Sequence, residues 1–123
     1  MARDELAVKR LRLAFDNYKR LRRPRTAKAL DLDEAEVDLF EEEAYLVGLV
    51  DTFLHRGEIP SRGIALDGTI DKRLASGRRT TPQEEQMWRE WMHYRKAMID
   101  LALALATASG AQLGEWSETS GRS

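Results

Sequence analysis

Apolar residues recur every three or four positions near the start of the chain, and charged residues fill most of the positions between them. The apolar residues that share one stripe are Ala7, Val8, Leu11, Ala14, Phe15, Tyr18 and Leu21. This spacing predicts an amphipathic helix from about Asp4 to Arg22. Pro24 then ends it, because proline lacks a backbone N–H and disfavours a helical residue before it.

A second helix is predicted to begin at Asp31 or Asp33, since an aspartate side chain accepts hydrogen bonds from the free N–H groups of a helix start. It is expected to end near His55 or Arg56, with Gly57 as the stop signal. The segment AYLVGLVDTFL in its second half is apolar almost all round. A helix of this kind has to be covered on most sides.

The strongest helix start in the chain is the sequence TPQE. Thr81 is placed to be the N-cap, with Pro82 as the first helical residue and Glu84 as the reciprocal residue of a capping box. The helix is predicted to continue to about Ser109, with Gly110 as its C-terminal stop. Its wide apolar stripe includes two tryptophans.

Residues 57–80 join the second and third helices, and a connection of this length without structure of its own is uncommon in a compact domain. Thr69 is a candidate cap for a short fourth helix in the 69–76 segment. The predicted fold is therefore all-α: a three-helix bundle-like single domain over residues 1–109, with the candidate fourth helix inside it. Residues 110–123 are expected to form a loosely ordered C-terminal tail.

The composition narrows the functional classes. The 123 residues include no cysteine, which excludes disulfides and cysteine catalysis, and the net charge is −1, so no global field attracts nucleic acid. The longest apolar run, LALALATA at 101–108, is less than half a membrane span. No apolar signal core follows the first methionine. We therefore expect a cytoplasmic protein without a membrane partner.

Charge, in contrast, is segregated along the chain. Residues 18–28 hold six Lys or Arg and no acid, whereas residues 31–43 hold eight Asp or Glu and no base. If the first two helices pack as an antiparallel hairpin through their apolar stripes, their charged sides point away from each other. Both sides are then available to partners.

Three sets of residues are candidates for partner contacts. The basic flank consists of Lys19, Arg20, Arg22, Arg23, Arg25 and Lys28. The acidic flank consists of Glu34, Asp38, Glu41 and Glu42. The apolar interface candidates are Trp88, Trp91, Leu101, Leu103 and Leu105. This last set is chosen because apolar residues surround the end of the third helix, and tryptophans are common at the centre of interfaces.

No set of residues points to catalysis or to a metal. Glu90 and His93 have the i, i+3 spacing found in carboxylate-bridged di-iron bundles, but those bundles need a second such pair, and the chain has only 2 histidines. The other histidine, His55, follows Asp51 by four residues. We expect no metal, no cofactor and no catalytic residue.

These observations predict a non-catalytic helical interaction protein, such as an adaptor, an assembly subunit or a regulator. Its partner is expected to be another protein or a second copy of itself, because the apolar segments exceed what three helices can bury in one another. The alternative is a small nucleic-acid-binding regulator that uses the basic segment 18–28 for phosphate contacts. The acidic segment that follows would repel phosphate at short range, which favours the protein partner.

Overall fold

The structure, a computed structural model, describes residues 5–60 and 63–116. Its elements in chain order are α1 (Glu5–Arg20), a 3-10 helix (Ala27–Leu30), α2 (Asp33–Arg56), β1 (Gly63–Asp67), α3 (Gly68–Ala75), α4 (Pro82–Ser109) and β2 (Gln112–Trp116). The predicted all-α fold is confirmed, because three long helices and a short fourth make up most of the described chain. None of the helices in these residues combines the length and the apolar character that a membrane span requires.

Several helix ends follow the local sequence signals. Thr81 and Glu84 form the predicted capping box, in which the Thr81 hydroxyl accepts a hydrogen bond from the Glu84 backbone N–H at 3.1 Å. Gly57 and Gly110 end α2 and α4 with φ of 80° and 75°. Glycine adopts this left-handed conformation without a steric penalty, so both helices stop where the sequence predicts.

Two predicted helix caps are wrong. Asp31 and Asp33 do not cap α2; Leu32 holds the N-cap position instead. The reason is the preceding 3-10 helix, which ends at Asp31 in a left-handed conformation while Leu32 enters the core. Thr69 does not cap α3 either. Its backbone N–H donates to the Asp67 carboxylate at 2.9 Å, so Asp67 is the cap.

The first helix packs chiefly along α4 and not along α2, so the hairpin considered for the first two helices does not form. The Tyr18 and Tyr94 rings lie 5.4 Å apart at this contact. Leu11 and Phe15, from the stripe predicted for α1, share one core with Leu101 of α4. The arrangement follows from α4, whose wide apolar surface contacts α1, α2, α3 and the 3-10 helix.

The 3-10 helix, which the sequence analysis did not predict, closes one side of the core. Its Ala27 and Leu30 side chains are fully buried. The Trp91 indole N–H donates to the Arg25 carbonyl oxygen at 2.7 Å, just before this helix begins. The segment after α1 is therefore held against α4 by both apolar and polar contacts.

The two strands, also not predicted, pair in parallel, with Ile64 of β1 opposite Leu113 of β2. β2 lies within the segment expected to be a loose tail and pairs with the connection between α2 and α3. The rest of that segment, residues 117–123, lies outside the described residues. The division into a domain ending at residue 109 and a separate tail stays a prediction.

We expect Thr81→Ala to lower the free energy of unfolding by about 1 kcal/mol, because the Glu84 backbone N–H loses its capping hydroxyl. Thr107→Ala is the matched control. The Thr107 side chain is exposed near the end of the same helix, where its hydroxyl donates to the Leu103 carbonyl oxygen, and alanine is the better helix former. Chemical denaturation followed by circular dichroism measures both variants. Equal losses in the two would contradict the capping role.

Candidate functional site

One arginine lies inside the core. The Arg95 side chain of α4 is 1% exposed. Its Nη1 donates to Glu42 Oε1 of α2 at 2.5 Å, and its Nε and Nη2 donate to the Asp71 carboxylate of α3 at 3.1 and 3.2 Å. Its Nη2 also donates to the Asp67 carbonyl oxygen at 3.1 Å. One guanidinium therefore joins α4 to α2, α3 and the end of β1.

This network uses both oxygens of Glu42, since Oε2 accepts from the Asp67 backbone N–H at 2.7 Å. Burial lowers the pKa of Arg95, but the hydrogen bonds to Asp71 and Glu42 outweigh burial and hold the pKa above its ordinary value. Arg95 is therefore charged. Both oxygens of Glu42 are therefore engaged by groups of the same chain, and the network connects α2 to α4 and to the end of β1.

The sequence analysis missed Arg95, although its position carries a signal. It follows Trp91 by four residues and precedes Ala102 by seven, which places it on the stripe that these buried residues form. A base on a buried stripe requires an acidic partner. The partners were not predictable, because Glu42 and Asp71 are distant in sequence and many acids compete for the role.

A second polar cluster lies where α1, α2 and α4 meet. Glu43 Oε1 accepts hydrogen bonds from the hydroxyls of Tyr18 and Tyr94. Glu43 Oε2 accepts from Arg23 Nη2 at 2.8 Å. Burial raises the pKa of both tyrosines, and the hydrogen bonds to the Glu43 carboxylate raise it further. Both hydroxyls therefore stay protonated and act as donors.

Part of the predicted basic flank is paired with acids of the same chain. Arg23 forms the ion pair with Glu43, and Arg25 Nε lies 3.9 Å from Glu90 Oε1. The Glu36 carboxylate accepts from the Ala27 backbone N–H at 3.4 Å. These acids reduce the positive field of the segment that the sequence presents as uninterrupted.

The remaining residues of the basic flank are exposed. Lys19 lies 3.8 Å from Asp16, with both side chains more than half exposed. Arg20, Arg22 and Lys28 make no ion pair with any residue in the described ranges. The unneutralised charge of the flank therefore comes from these three residues.

A cavity of about 360 Å³ lies beside the turn that follows α1. Its charged or titratable lining residues are Arg22, Arg23, Arg25, Glu90 and His93. The cavity brings three guanidinium groups together, although Arg23 and Arg25 are already paired with Glu43 and Glu90. Arg22 is its arginine without an ion pair in the described residues.

The predicted acidic flank divides in the same way. Asp38 pairs with Arg73 at 2.5 Å, and Glu34, which is 86% exposed, lies 3.9 Å from the same arginine. Glu41 is exposed and makes no ion pair within the described residues. Glu42 was expected on the surface flank, but it points inward to the Arg95 network. Glu34 and Glu41 are the acids left facing outward.

Most of the apolar interface candidates lie in the protein's own core. Trp91, Leu101 and Leu105 are 0% exposed, which corrects the expectation that they meet a partner. Trp88 is partly buried, and its indole N–H donates to a carbonyl oxygen of α3 at 2.7 Å. Leu103 alone of the set is strongly exposed, at 54%. The apolar excess of the long helices is absorbed by α1, the 3-10 helix, β1 and α3.

Two helix surfaces combine exposed apolar residues with charges. The predicted flanks include some of their charged residues, namely Arg20, Glu34 and Glu41, but none of their apolar residues. We define the outer face of α1 as Leu6, Lys9, Arg10, Leu13 and Arg20, which recur at helical spacing on the side away from the core. Leu6 and Leu13 are 56% and 62% exposed. Within the described chain, Lys9, Arg10 and Arg20 make no ion pair.

We define the outer face of α2 as Glu34, Val37, Glu41 and Tyr45, which also recur at helical spacing. Val37 and Tyr45 are 57% and 44% exposed. Each face could have been recognised in the sequence from a pair of apolar residues, seven positions apart in α1 and eight in α2, that lie outside the buried stripe of the helix. Tyr45 belongs to the segment AYLVGLVDTFL, which was expected to be covered on most sides, and Val37 was assigned to no surface.

No group of three or more His, Asp or Glu side chains suited to a metal ion occurs in residues 5–60 and 63–116. Of the pairs considered from the sequence, Glu90 lies near Arg25, and His55 Nδ1 contacts the Asp51 carbonyl oxygen at 2.8 Å. The chain matches no protein-family model, no curated protein and no solved structure.

We expect Arg95→Met to lower the free energy of unfolding by about 3–5 kcal/mol, because Glu42 would stay buried without its cation. Arg89→Met is the matched control on the same helix. The Arg89 side chain is 65% exposed and pairs with Glu85, so its loss should cost less than about 0.5 kcal/mol. Urea denaturation measures both. A loss in Arg95→Met no larger than in the control would contradict the role of the network.

We expect stability to fall as the pH rises above about 10, the ordinary pKa of tyrosine. The pKa values of Tyr18 and Tyr94 are raised in the folded state, so the unfolded state loses these protons first and rising pH favours unfolding. Thermal melts from about pH 8 to about pH 11 measure the effect. Tyr18→Phe should weaken the dependence, whereas Tyr45→Phe, at an exposed position, should retain it. An identical slope in wild type and Tyr18→Phe would rule out the assignment.

Proposed function

We propose that this chain is a non-catalytic helical interaction protein, an adaptor, assembly subunit or regulator, that binds an acidic protein surface. The observation that carries the proposal is the outer face of α1. There Lys9, Arg10 and Arg20 lie around Leu13 and have no ion-pair partner in the described part of the chain. A partner with acidic and apolar residues would neutralise the bases and cover the leucine.

The exposed leucine favours a protein over a nucleic acid. Leu13 is 62% exposed beside these bases. A phosphate backbone attracts the bases but offers an aliphatic side chain nothing apolar to pack against. A protein interface joins apolar contacts at its centre with polar contacts at its rim. Both properties of the face are then used.

Binding without catalysis is supported by how the carboxylates are used. The oxygens of Glu42 are taken by Arg95 and a backbone N–H, and those of Glu43 by two tyrosines and Arg23. These buried acids hold the fold together. The proposal includes action in the cytoplasm, which the cysteine-free sequence supports because it needs no oxidising compartment. It also includes action without metal or cofactor, supported by the lack of a second Glu-x-x-His pair beside Glu90 and His93.

Nucleic-acid binding is the second candidate, and the basic cavity beside α1 is the observation that favours it. Arg22, Arg23 and Arg25 line that cavity together, where one phosphate would contact several guanidinium groups. Glu43 of α2 and Glu90 of α4 pair with Arg23 and Arg25, which weakens the attraction of the cavity for a polyanion. Because of these carboxylates, we favour a protein partner over a nucleic acid.

The test is capture of partners from a lysate of the native host, with the tagged chain as bait, in parallel samples with and without nuclease. We expect the triple variant Lys9→Gln/Arg10→Gln/Arg20→Gln to retain at least about tenfold less of the captured protein, because the face loses its charge complementarity. The fold should be unchanged, since all three side chains are exposed.

The matched control removes the same charge elsewhere, at the exposed residues Arg56, Lys72 and Lys96, each changed to Gln. It should capture partners as the wild type does. Equal losses in the two triple variants would contradict a specific role for α1. Capture that disappears with nuclease, together with retarded DNA mobility abolished by Arg22→Gln/Arg25→Gln, would establish the second candidate instead.

A further inference from the structure

We propose that the acidic partner of the outer face of α1 is the outer face of α2 on a second copy of this chain. The inference rests on the proposed function and names the partner for the same surface. The two faces match in charge and in the order of their residues.

The outer face of α1 presents an apolar–basic–apolar order. Lys9 and Arg10 lie between Leu6 and Leu13, which are separated by seven residues, or about 10.5 Å along the helix axis. The leucine side chains are more than half exposed. Two acids of α1, Glu5 and Asp16, border this face. Asp16 is paired with Lys19 on the adjoining side of the helix, and within the described residues Glu5 makes no ion pair with Lys9.

The outer face of α2 presents the same order with the opposite charge. Glu41 lies between Val37 and Tyr45, which are separated by eight residues, or about 12 Å along the axis. Glu34 continues the face toward the start of the helix and is 86% exposed. Arg73 approaches this side, where it pairs with Asp38 at 2.5 Å, next to the face, and lies 3.9 Å from Glu34. Glu41 is the acid of the face without an ion pair in the described residues.

The two orders are complementary in either helix direction. When Leu6 and Leu13 are aligned with Val37 and Tyr45, the residues between the leucines fall opposite Glu41. This holds for a parallel and for an antiparallel crossing, because the charged residues of each face lie near the middle of its apolar pair: Lys9 and Arg10 in α1, and Glu41 in α2. Helices in contact lie about 8–10 Å apart, a distance that long basic and acidic side chains span easily.

The space next to Tyr45 permits a close approach of a second helix. Ala44 and Gly48 continue the exposed side of α2. A Cβ atom added at Gly48 would have no protein atom within 4 Å, so the surface there is open. The faces that join are different on the two copies, so the assembly forms either a reciprocal pair with two such contacts or a chain of copies.

Paired charge-swap variants test the proposal. One variant, Lys9→Glu/Arg10→Glu, makes the outer face of α1 acidic, and the other, Glu34→Lys/Glu41→Lys, makes the outer face of α2 basic. All four side chains are exposed, so both variants should fold, as circular dichroism can verify. In sedimentation velocity, each alone should associate at least about tenfold more weakly than the wild type, because like charges then face each other.

An equimolar mixture of the two variants should recover association, since each basic face meets an acidic one again. The matched control Lys72→Glu/Lys96→Glu, at exposed bases outside both faces, should associate like the wild type. Leu13→Gln should weaken association without a change of charge. A wild type that stays monomeric up to its highest soluble concentration, or a mixture that stays dissociated, would overturn the proposal.

Those results are separable from the proposed function. A monomeric wild type that still captures a host protein, lost in the triple Gln variant, would remove the second copy as partner and leave the role of α1 intact. Recovery of association in the mixture would identify the partner directly.

Discussion

The charge of Arg95 is the constraint on which the arrangement of the other elements depends. A guanidinium that is 1% exposed is costly to bury, and only well-placed acceptors compensate for that cost. Its acceptors come from α2, α3 and the end of β1, so these elements have to meet α4 at one point. The short α3 and the connection around it are thereby held on α4. We interpret the network as specifying this packing over alternatives that three apolar helices would otherwise permit.

The polar contacts inside the fold also determine which acids of α2 remain on the surface. Successive residues of a helix point about 100° apart, so the three glutamates at 41–43 have three different surroundings. Glu42 meets Arg95, Glu43 meets Tyr18, Tyr94 and Arg23, and Glu41 points to solvent. In sequence the three form one acidic run. In the fold only Glu41 contributes to the outer face of α2. Glu43 neutralises Arg23 and so reduces the net charge of the basic segment 18–28.

Local signals account for what was predictable from the sequence. The capping box at Thr81, the glycine stops at Gly57 and Gly110 and the position of the short fourth helix all depend on residues close in the chain. The packing of α1 on α4, the pairing of β1 with β2 and the partners of Arg95 depend on residues far apart, and no periodicity specifies them. The sequence shows two leucines of α1 seven residues apart, Leu6 and Leu13. Only the packing of the helices shows that they are exposed and that the other apolar stripe is buried.

The central claim is that the outer face of α1 meets the outer face of α2 on another copy. Zero-length carbodiimide cross-linking tests it directly in an equimolar mixture of unlabelled and ¹⁵N-labelled wild-type chains, because the reagent joins an amine only to a carboxylate in contact with it. The account predicts mixed-isotope peptides that join Lys9 to Glu41 or Glu34, which disappear at high salt as the charges are screened. Cross-links that are confined to single-isotope peptides, or mixed ones that avoid these residues, would contradict it.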